Sequence, residues 1–254
     1  PFGRVASHVL GYLGQIDTWR ITQLKPYGYE LSDLVGYGGA EEYYDLMLRG
    51  KKGGEQVEVD NLGRRVRTVG YKSPKPGQDI QLTIDVAIQK IIDKFMDEHK
   101  GAVIIIEPFS GEIIALGSYP NYNPNDFIKR ENFNISSLLN DDNSPLLNRA
   151  VAGQYPPGSV FKVVTAIAAL ENETSFVNKS FICDGNLEIG NRVFECWSIH
   201  GQQNLRDAVV HSCNIYFYKL GLLLRPEVIK KYALILGLGK KTGIDLKYEK
   251  NGFI

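Results

Sequence analysis

Ser159 and Lys162 stand three residues apart at the head of an apolar run, and a hydroxyl with an amine at that spacing is a nucleophile beside a base. Before them, Gly153-Gln154-Tyr155-Pro156-Pro157-Gly158 is loop chemistry. After them, residues 163–170 run through Val, Thr, Ala, Ile and Leu without a breaker. The pattern predicts a buried helix with Ser159 in its first turn and Lys162 on the same face. A lysine opening so apolar a helix carries a charge that burial penalises unless it is paired or lost. The same residues also suit a plain helix start, with serine as the cap and lysine reaching water along its stem.

A second chemical group is Ser212-Cys213-Asn214, set between helical patterns over residues 205–211 and 215–224. Its cysteine belongs to a third. Cys183, Cys196, His200 and Cys213 read C-x12-C-x3-H-x12-C. An odd number of cysteines in an exported protein leaves at least one thiol unpaired. Three readings stay open: a Cys183–Cys196 disulfide with Cys213 free, buried inert cysteines, or a closed structural Cys3His zinc site. If zinc is bound, Cys213 brings the metal into the middle of the triplet.

The elements that must position these groups are partly legible. The chain has 254 residues, 43% of them apolar, enough for a sizeable core. Its 29 basic and 29 acidic residues balance, which argues against a nucleic-acid partner. No apolar run is long enough to cross a membrane and no signal peptide is visible. A chain that opens on proline is expected to be a piece of a longer protein.

Residues 1–76 are polar and glycine-rich. Residues 6–12 alternate weakly, as a short strand and turn, with His8 a structural histidine. Residues 40–48 read as a helix stopped by Gly50. Residues 57–60 and 65–69 alternate around Asn61-Leu62-Gly63, a β-hairpin signal, with Arg64, Arg65 and Arg67 on a solvated face. Ser73-Pro74-Lys75-Pro76-Gly77 is the best domain boundary. Asp85 caps a helix carrying Val86, Ile88, Ile91, Ile92 and Phe95 toward His99. Residues 102–107 read as a buried central strand, followed by a turn and a second strand over 112–117. Residues 119–148 are irregular, with Asp141 and Asp142 in a turn or helix cap. The stretch from about residue 172 to Gln203 reads as loop, with Trp197 a packing residue. His211 ends one helix, and Pro226 starts another that stops at Gly237.

The pairing of S-x-x-K with an S-x-N triplet is a signature of serine β-lactamases and penicillin-binding proteins. The wording around both motifs, residues 148–159 and 211–218, resembles class B penicillin-binding proteins, above all the elongation-specific penicillin-binding protein 2 type. The resemblance extends over nearly the whole chain. Residues 8–12, 39–44 and 57–60 resemble the end of that family's pedestal, or dimerisation, domain.

The resemblance implies an α+β fold: a transpeptidase sheet flanked by helices over 77–254, preceded by part of an α+β pedestal over 1–76. It implies peptidoglycan D,D-transpeptidation through a serine acyl-enzyme. Ser159 would be the nucleophile, Lys162 the base, Ser212 the proton relay and Asn214 the substrate's amide holder. Stem peptides and β-lactams would be the ligands, and a membrane-embedded glycan polymerase the partner. The place would be the outer face of the cytoplasmic membrane, with an N-terminal anchor helix outside this chain. No organic cofactor is implied. Some relatives place zinc ligands at matching positions, with carboxylates for Cys183 and Cys196 and a histidine for His200.

Lys241-Thr242-Gly243 spells the family's third signature but follows the second too closely, after a helix rather than on an edge strand. It resembles an upstream turn and is given no catalytic role, so the K-[ST]-G strand is expected beyond Ile254. A serine β-lactamase or β-lactam sensor, and a non-catalytic fragment, are the rival readings.

Overall fold

The computed structural model describes residues 3–128, 135–172, 176 and 178–254. Two compact units emerge, one of Pro1–Gly153 with Ile244–Glu249, the other of Gln154–Gly243 with Lys250–Ile254.

The first unit runs α1 (Ser7–Leu10), β1 (Tyr12–Gln15), α2 (Thr18–Leu24), β2 (Leu34–Tyr37), α3 (Gly39–Tyr43), α4 (Asp45–Leu48), β3 (Gly54–Val59), β4 (Arg65–Lys72), α5 (Val86–Phe95), β5 (Gly101–Ile106), β6 (Ile113–Tyr119) and α6 (Ile135–Leu139). The strands form three antiparallel pairs, β1 with β2 across α2, and the hairpins β3–β4 and β5–β6. The hairpin expected around Asn61-Leu62-Gly63 forms, and its arginines lie on the exposed face, paired to Asp60, Glu55 and Glu58. Asp85 caps α5 by accepting from the Ala87 and Ile88 N–H groups. Asp141 closes a turn through the Asn143 N–H, 2.8 Å away.

Three readings change here. Residues 7–10 form a helical turn in place of a strand, with the Leu10 N–H on the Ala6 carbonyl and the Gly11 N–H on the Ser7 carbonyl, and Ser7, His8 and Val9 are buried in consecutive positions. His8 donates from Nε2 to the Pro145 carbonyl at 2.8 Å. Helix α2, capped by Asp17 through the Arg20 N–H, arises in sequence that reads only as polar. β5 is not a buried central strand: Ile104 and Ile106 are 44% and 52% exposed, since among the described residues only β6 pairs with it. A β-branched run signals a strand but not how many neighbours cover it.

Residues 129–134 of the irregular stretch lie outside the described residues. The rest of it includes the 3₁₀ turn Pro124–Phe127.

The second unit runs α7 (Lys162–Asn172), β7 (Phe181–Cys183), β8 (Asn186–Ile189), β9 (Arg192–Glu195), β10 (Gly201–Gln203), α8 (Leu205–Val210), α9 (Asn214–Leu224) and α10 (Pro226–Ile235). α7 packs against α9 and α10. Ala168 and Ala169 on α7 are fully buried beside Ile215, Tyr216 and Leu220 of α9, and such small side chains let the helices approach closely. α9 is apolar nearly all round, as a core helix must be. Of the expected loop up to Gln203, residues 173–175 and 177 lie outside the described residues. The remainder holds two short antiparallel ribbons, β7 with β10 and β8 with β9. Strands of three or four residues are too short to show a period in sequence. Lys241-Thr242-Gly243 lies in irregular chain after α10.

Candidate active site

Ser159 sits on an exposed 3₁₀ turn, Gly158–Phe161, that leads directly into α7. The expected helix therefore begins as a tighter turn, and Lys162 is the first residue of α7 proper. Gly158 holds φ +59°, a left-handed conformation that glycine adopts without steric cost.

Facing Lys162 is the junction of α8 and α9. Only His211, Ser212 and Cys213 separate the two helices. Ser212 takes φ +48° to make so abrupt a join, and the Cys213 N–H closes the turn onto the Ala208 carbonyl at 2.9 Å. The Cys213 thiol accepts from the Tyr216 N–H and caps α9.

Lys162 Nζ lies 2.6 Å from the Ser212 carbonyl, 3.0 Å from Ser212 Oγ and 2.6 Å from Asn214 Oδ1. The Phe217 ring lies 5.7 Å below the amine. Burial lowers the Lys162 pKa, against the opposing pull of Cys196 and Cys213. The geometry has a proton-transfer consequence. A neutral amine has two N–H donors and one lone pair. Its donors go to the two carbonyl-type oxygens, which can only accept, so the lone pair is left for a hydroxyl. Among the described residues no hydrogen bond joins Nζ to Ser159 Oγ. Three of the four expected residues are thus in direct contact, and the fourth stands one turn away.

Cys183, Cys196, His200 and Cys213 also come together. Their ligand atoms all lie within 4.8 Å of one another. All three cysteines are free thiols, with no disulfide between Cys183 and Cys196. His200 Nδ1 is 3.5 Å from both the Cys183 and Cys196 sulfurs. A tetrahedral ion with metal–sulfur bonds near 2.3 Å and metal–nitrogen bonds near 2.0 Å sets S and N ligands roughly 3.5 Å apart. The four residues therefore fit a metal ion. The environment of Cys196 agrees. Burial works against its thiolate, but the backbone N–H groups of Ser198, Ile215 and Asn214 outweigh burial and bring its pKa to about 6. Cys213 is pushed up to about 12, chiefly by burial.

Two readings need correction or addition. Trp197 packs at the surface and not in the core: it is 70% exposed, its ring sits edge-on to His200 with centroids 5.0 Å apart, and its Nε1 donates to the His211 carbonyl at 3.0 Å. Gln203 joins the site as well, 97% buried and bonded on every side. A lone glutamine before a helix cap carries no signal in sequence.

With this geometry in hand, the comparisons with known proteins are decisive about class. Residues 101–254 match the family described as the penicillin-binding protein transpeptidase domain, and residues 1–82 match the penicillin-binding protein dimerisation domain. The chain belongs to the penicillin-binding protein transpeptidase family. Among its relatives is the Escherichia coli (strain K12) peptidoglycan D,D-transpeptidase MrdA, 33% identical over 99% of this chain and 41% of that protein. The Acinetobacter baumannii MrdA is 34% identical over 99% of this chain and 38% of that protein. A solved complex between the penicillin-binding protein PBP2 and MreC of Helicobacter pylori superposes with TM-score 0.84. It is 35% identical and covers 99% of this chain and 47% of the other. The chain thus spans less than half the length of these relatives.

Proposed function

We propose that this chain is part of a peptidoglycan D,D-transpeptidase in which Ser159 forms the acyl-enzyme. Residues 1–76 belong to its pedestal and 77–254 to its transpeptidase domain. The observation that carries the reading is the half-buried amine of Lys162, held among the described residues by Ser212 and Asn214, one turn from an exposed Ser159.

Neutral Lys162 takes the Ser159 proton as Oγ attacks the penultimate D-alanine carbonyl of a stem peptide. The Ser159 N–H is one donor to the oxyanion that forms. Collapse breaks the peptide bond, and the departing D-alanine amine receives its proton through Ser212. An amine on a neighbouring strand then attacks the acyl carbon. Its proton returns along the same path and Ser159 is released. Asn214 Nδ2 is engaged with the Glu195 carbonyl at 3.2 Å, which fixes the amide while Oδ1 faces Lys162. Penicillin, an analogue of the same dipeptide, acylates the same serine.

Cys183, Cys196, His200 and Cys213 hold a structural zinc ion. Zinc would supply a cross-link that steadies the Ser212-Cys213-Asn214 turn through Cys213. As the family resemblance implies, the protein would work at the outer face of the cytoplasmic membrane beside a membrane-embedded glycan polymerase.

The test is to incubate the full-length protein with a fluorescent penicillin and map the adduct. Labelling at Ser159 that Ser159→Ala abolishes is expected. An unlabelled wild type would overturn the reading, and rapid hydrolysis of the penicillin would favour a β-lactamase. Metal analysis is expected to return zinc, lost in Cys213→Ser together with acylation rate. Absence of zinc from folded protein would remove that part alone.

A further inference from the structure

Four hydrogen bonds join the stretch 195–203 to residues 211–214, and two of them run through His211 and not through Asn214. Gln203 is at the centre of one. Its Nε2 donates to the carbonyls of His200 and Gln202, each at 2.9 Å. Carbonyls only accept, so the amide orientation is settled: nitrogen toward them, Oε1 the other way. Oε1 lies 2.8 Å from His211 Nδ1, so Nδ1 must carry the proton. The His211 ring stacks on His200, with centroids 5.6 Å apart and planes 8° from parallel. Trp197 makes the other tie, from Nε1 to the His211 carbonyl. His211 is the residue directly before Ser212, whose left-handed backbone aims Oγ at Lys162.

We infer that Gln203 and His211 form a positioning clamp: they hold the Ser212-Cys213-Asn214 turn against the stretch that carries Cys196 and His200, independently of any bound ion. The inference rests on the proposed roles of Ser212 and Asn214. Its physical basis is the backbone of Ser212. A non-glycine residue at positive φ stays there only when its surroundings over-determine it. On one side the Cys213 N–H bond to Ala208 does this; on the other, His211 does so only while its ring and carbonyl are both held. A buried amide with every donor and acceptor engaged is a rigid joint, and losing one partner leaves the others unsatisfied. Among the described residues Gln203 and His211 make no hydrogen bond to Ser159, Lys162 or Asn214, so they act through Ser212.

The experiment uses the full-length protein as purified with its metal. Three variants are compared: Gln203→Leu, His211→Phe and His211→Asn. His211→Phe keeps a stacking ring but loses the donor. His211→Asn puts an amide N–H where Nδ1–H stood. Because His211 is exposed, both of its variants should fold. The readouts are the second-order rate of penicillin acylation well below the melting temperature, the melting temperature, and the metal content.

Gln203→Leu and His211→Phe are expected to slow acylation roughly tenfold, the usual scale for a lost positioning bond. The metal should be retained, and His211→Asn should recover most of the rate. The double variant Gln203→Leu/His211→Phe should be no slower than either alone. Acylation at the wild-type rate in His211→Phe, or a double variant whose losses multiply, would overturn the clamp. Loss of metal in step with loss of rate would also overturn it, because the ion would then be the tie. A wild type that fails to label would instead overturn the proposed function.

Discussion

Arg20 in the first unit and Lys162 in the second are both long basic side chains partly withdrawn from bulk water, and they are treated in opposite ways. In the first, Arg20 is 12% exposed and paired to Glu42, itself 5% exposed. Glu42 also accepts from the Gly38 N–H and Tyr248 OH, each at 2.7 Å. Burial lowers the Arg20 pKa, but Glu42 and Tyr248 more than reverse that, and the net shift is upward. In the second unit Lys162 has no carboxylate partner among the described residues. Its acceptors are neutral oxygens, and its pKa falls. The lesson is that a buried cation facing a carboxylate is locked as an ion and serves structure. A half-buried amine whose acceptors are all neutral oxygens is poised to give up its proton.

The contrast can be broken most sharply at Lys162. Lys162→Met is expected to reduce penicillin acylation by roughly 10²–10⁴-fold, the range for loss of a general base, in protein that still folds. In wild type the active form is the neutral amine, so acylation should climb as pH rises. The midpoint should fall below the ordinary lysine value of about 10.4. A midpoint at that ordinary value would mean burial does not tune the amine.

At the other pole, Glu42→Gln leaves a largely buried guanidinium facing a neutral amide. A loss of about 3 kcal/mol in denaturant unfolding is expected, with acylation per folded molecule unchanged. Slowed acylation on the scale of Lys162→Met would collapse the distinction.

A smaller effect sharpens it. Burial, helped by the charge of Arg149 and opposed by the bond to Pro145, holds the His8 pKa down to about 4. The unfolded chain takes up that proton near pH 6.5. Stability should therefore be level above neutral pH and decline as pH falls from about 6.5 toward 4, by at most roughly 3 kcal/mol. His8→Asn should flatten that decline in urea melts; an unchanged slope would assign the acid sensitivity elsewhere.

Much of the site was legible because its signals are local. S-x-x-K before a breaker-free apolar run and S-x-N between two helical patterns are short words with fixed spacing, and Asp85 or Pro226 at a helix start needs no distant partner. What failed depended on distant partners. The helical turn at residues 7–10 is tied to the rest of the unit by the bond from His8 to the Pro145 carbonyl, a partner 137 residues away. The ribbon β7–β10 exists because strands 18 or so residues apart meet, as in the pairing of Gly201 with Cys183. Trp197 looks like a core residue by type, yet a carbonyl at position 211 holds it at the surface.

The sequence by itself determined the reactive groups: a serine and lysine one turn apart, an S-x-N triplet, and three thiols with one imidazole. It did so because covalent spacing along a helix or turn constrains neighbours whatever the rest of the chain does. Only the tertiary structure decided that Lys162 meets Ser212 and Asn214, and that Cys183, Cys196, His200 and Cys213 converge. It also decided that Gln203 grips His211. Those contacts span up to about fifty residues, and they form only when burying α7 against α9 brings distant backbone into register.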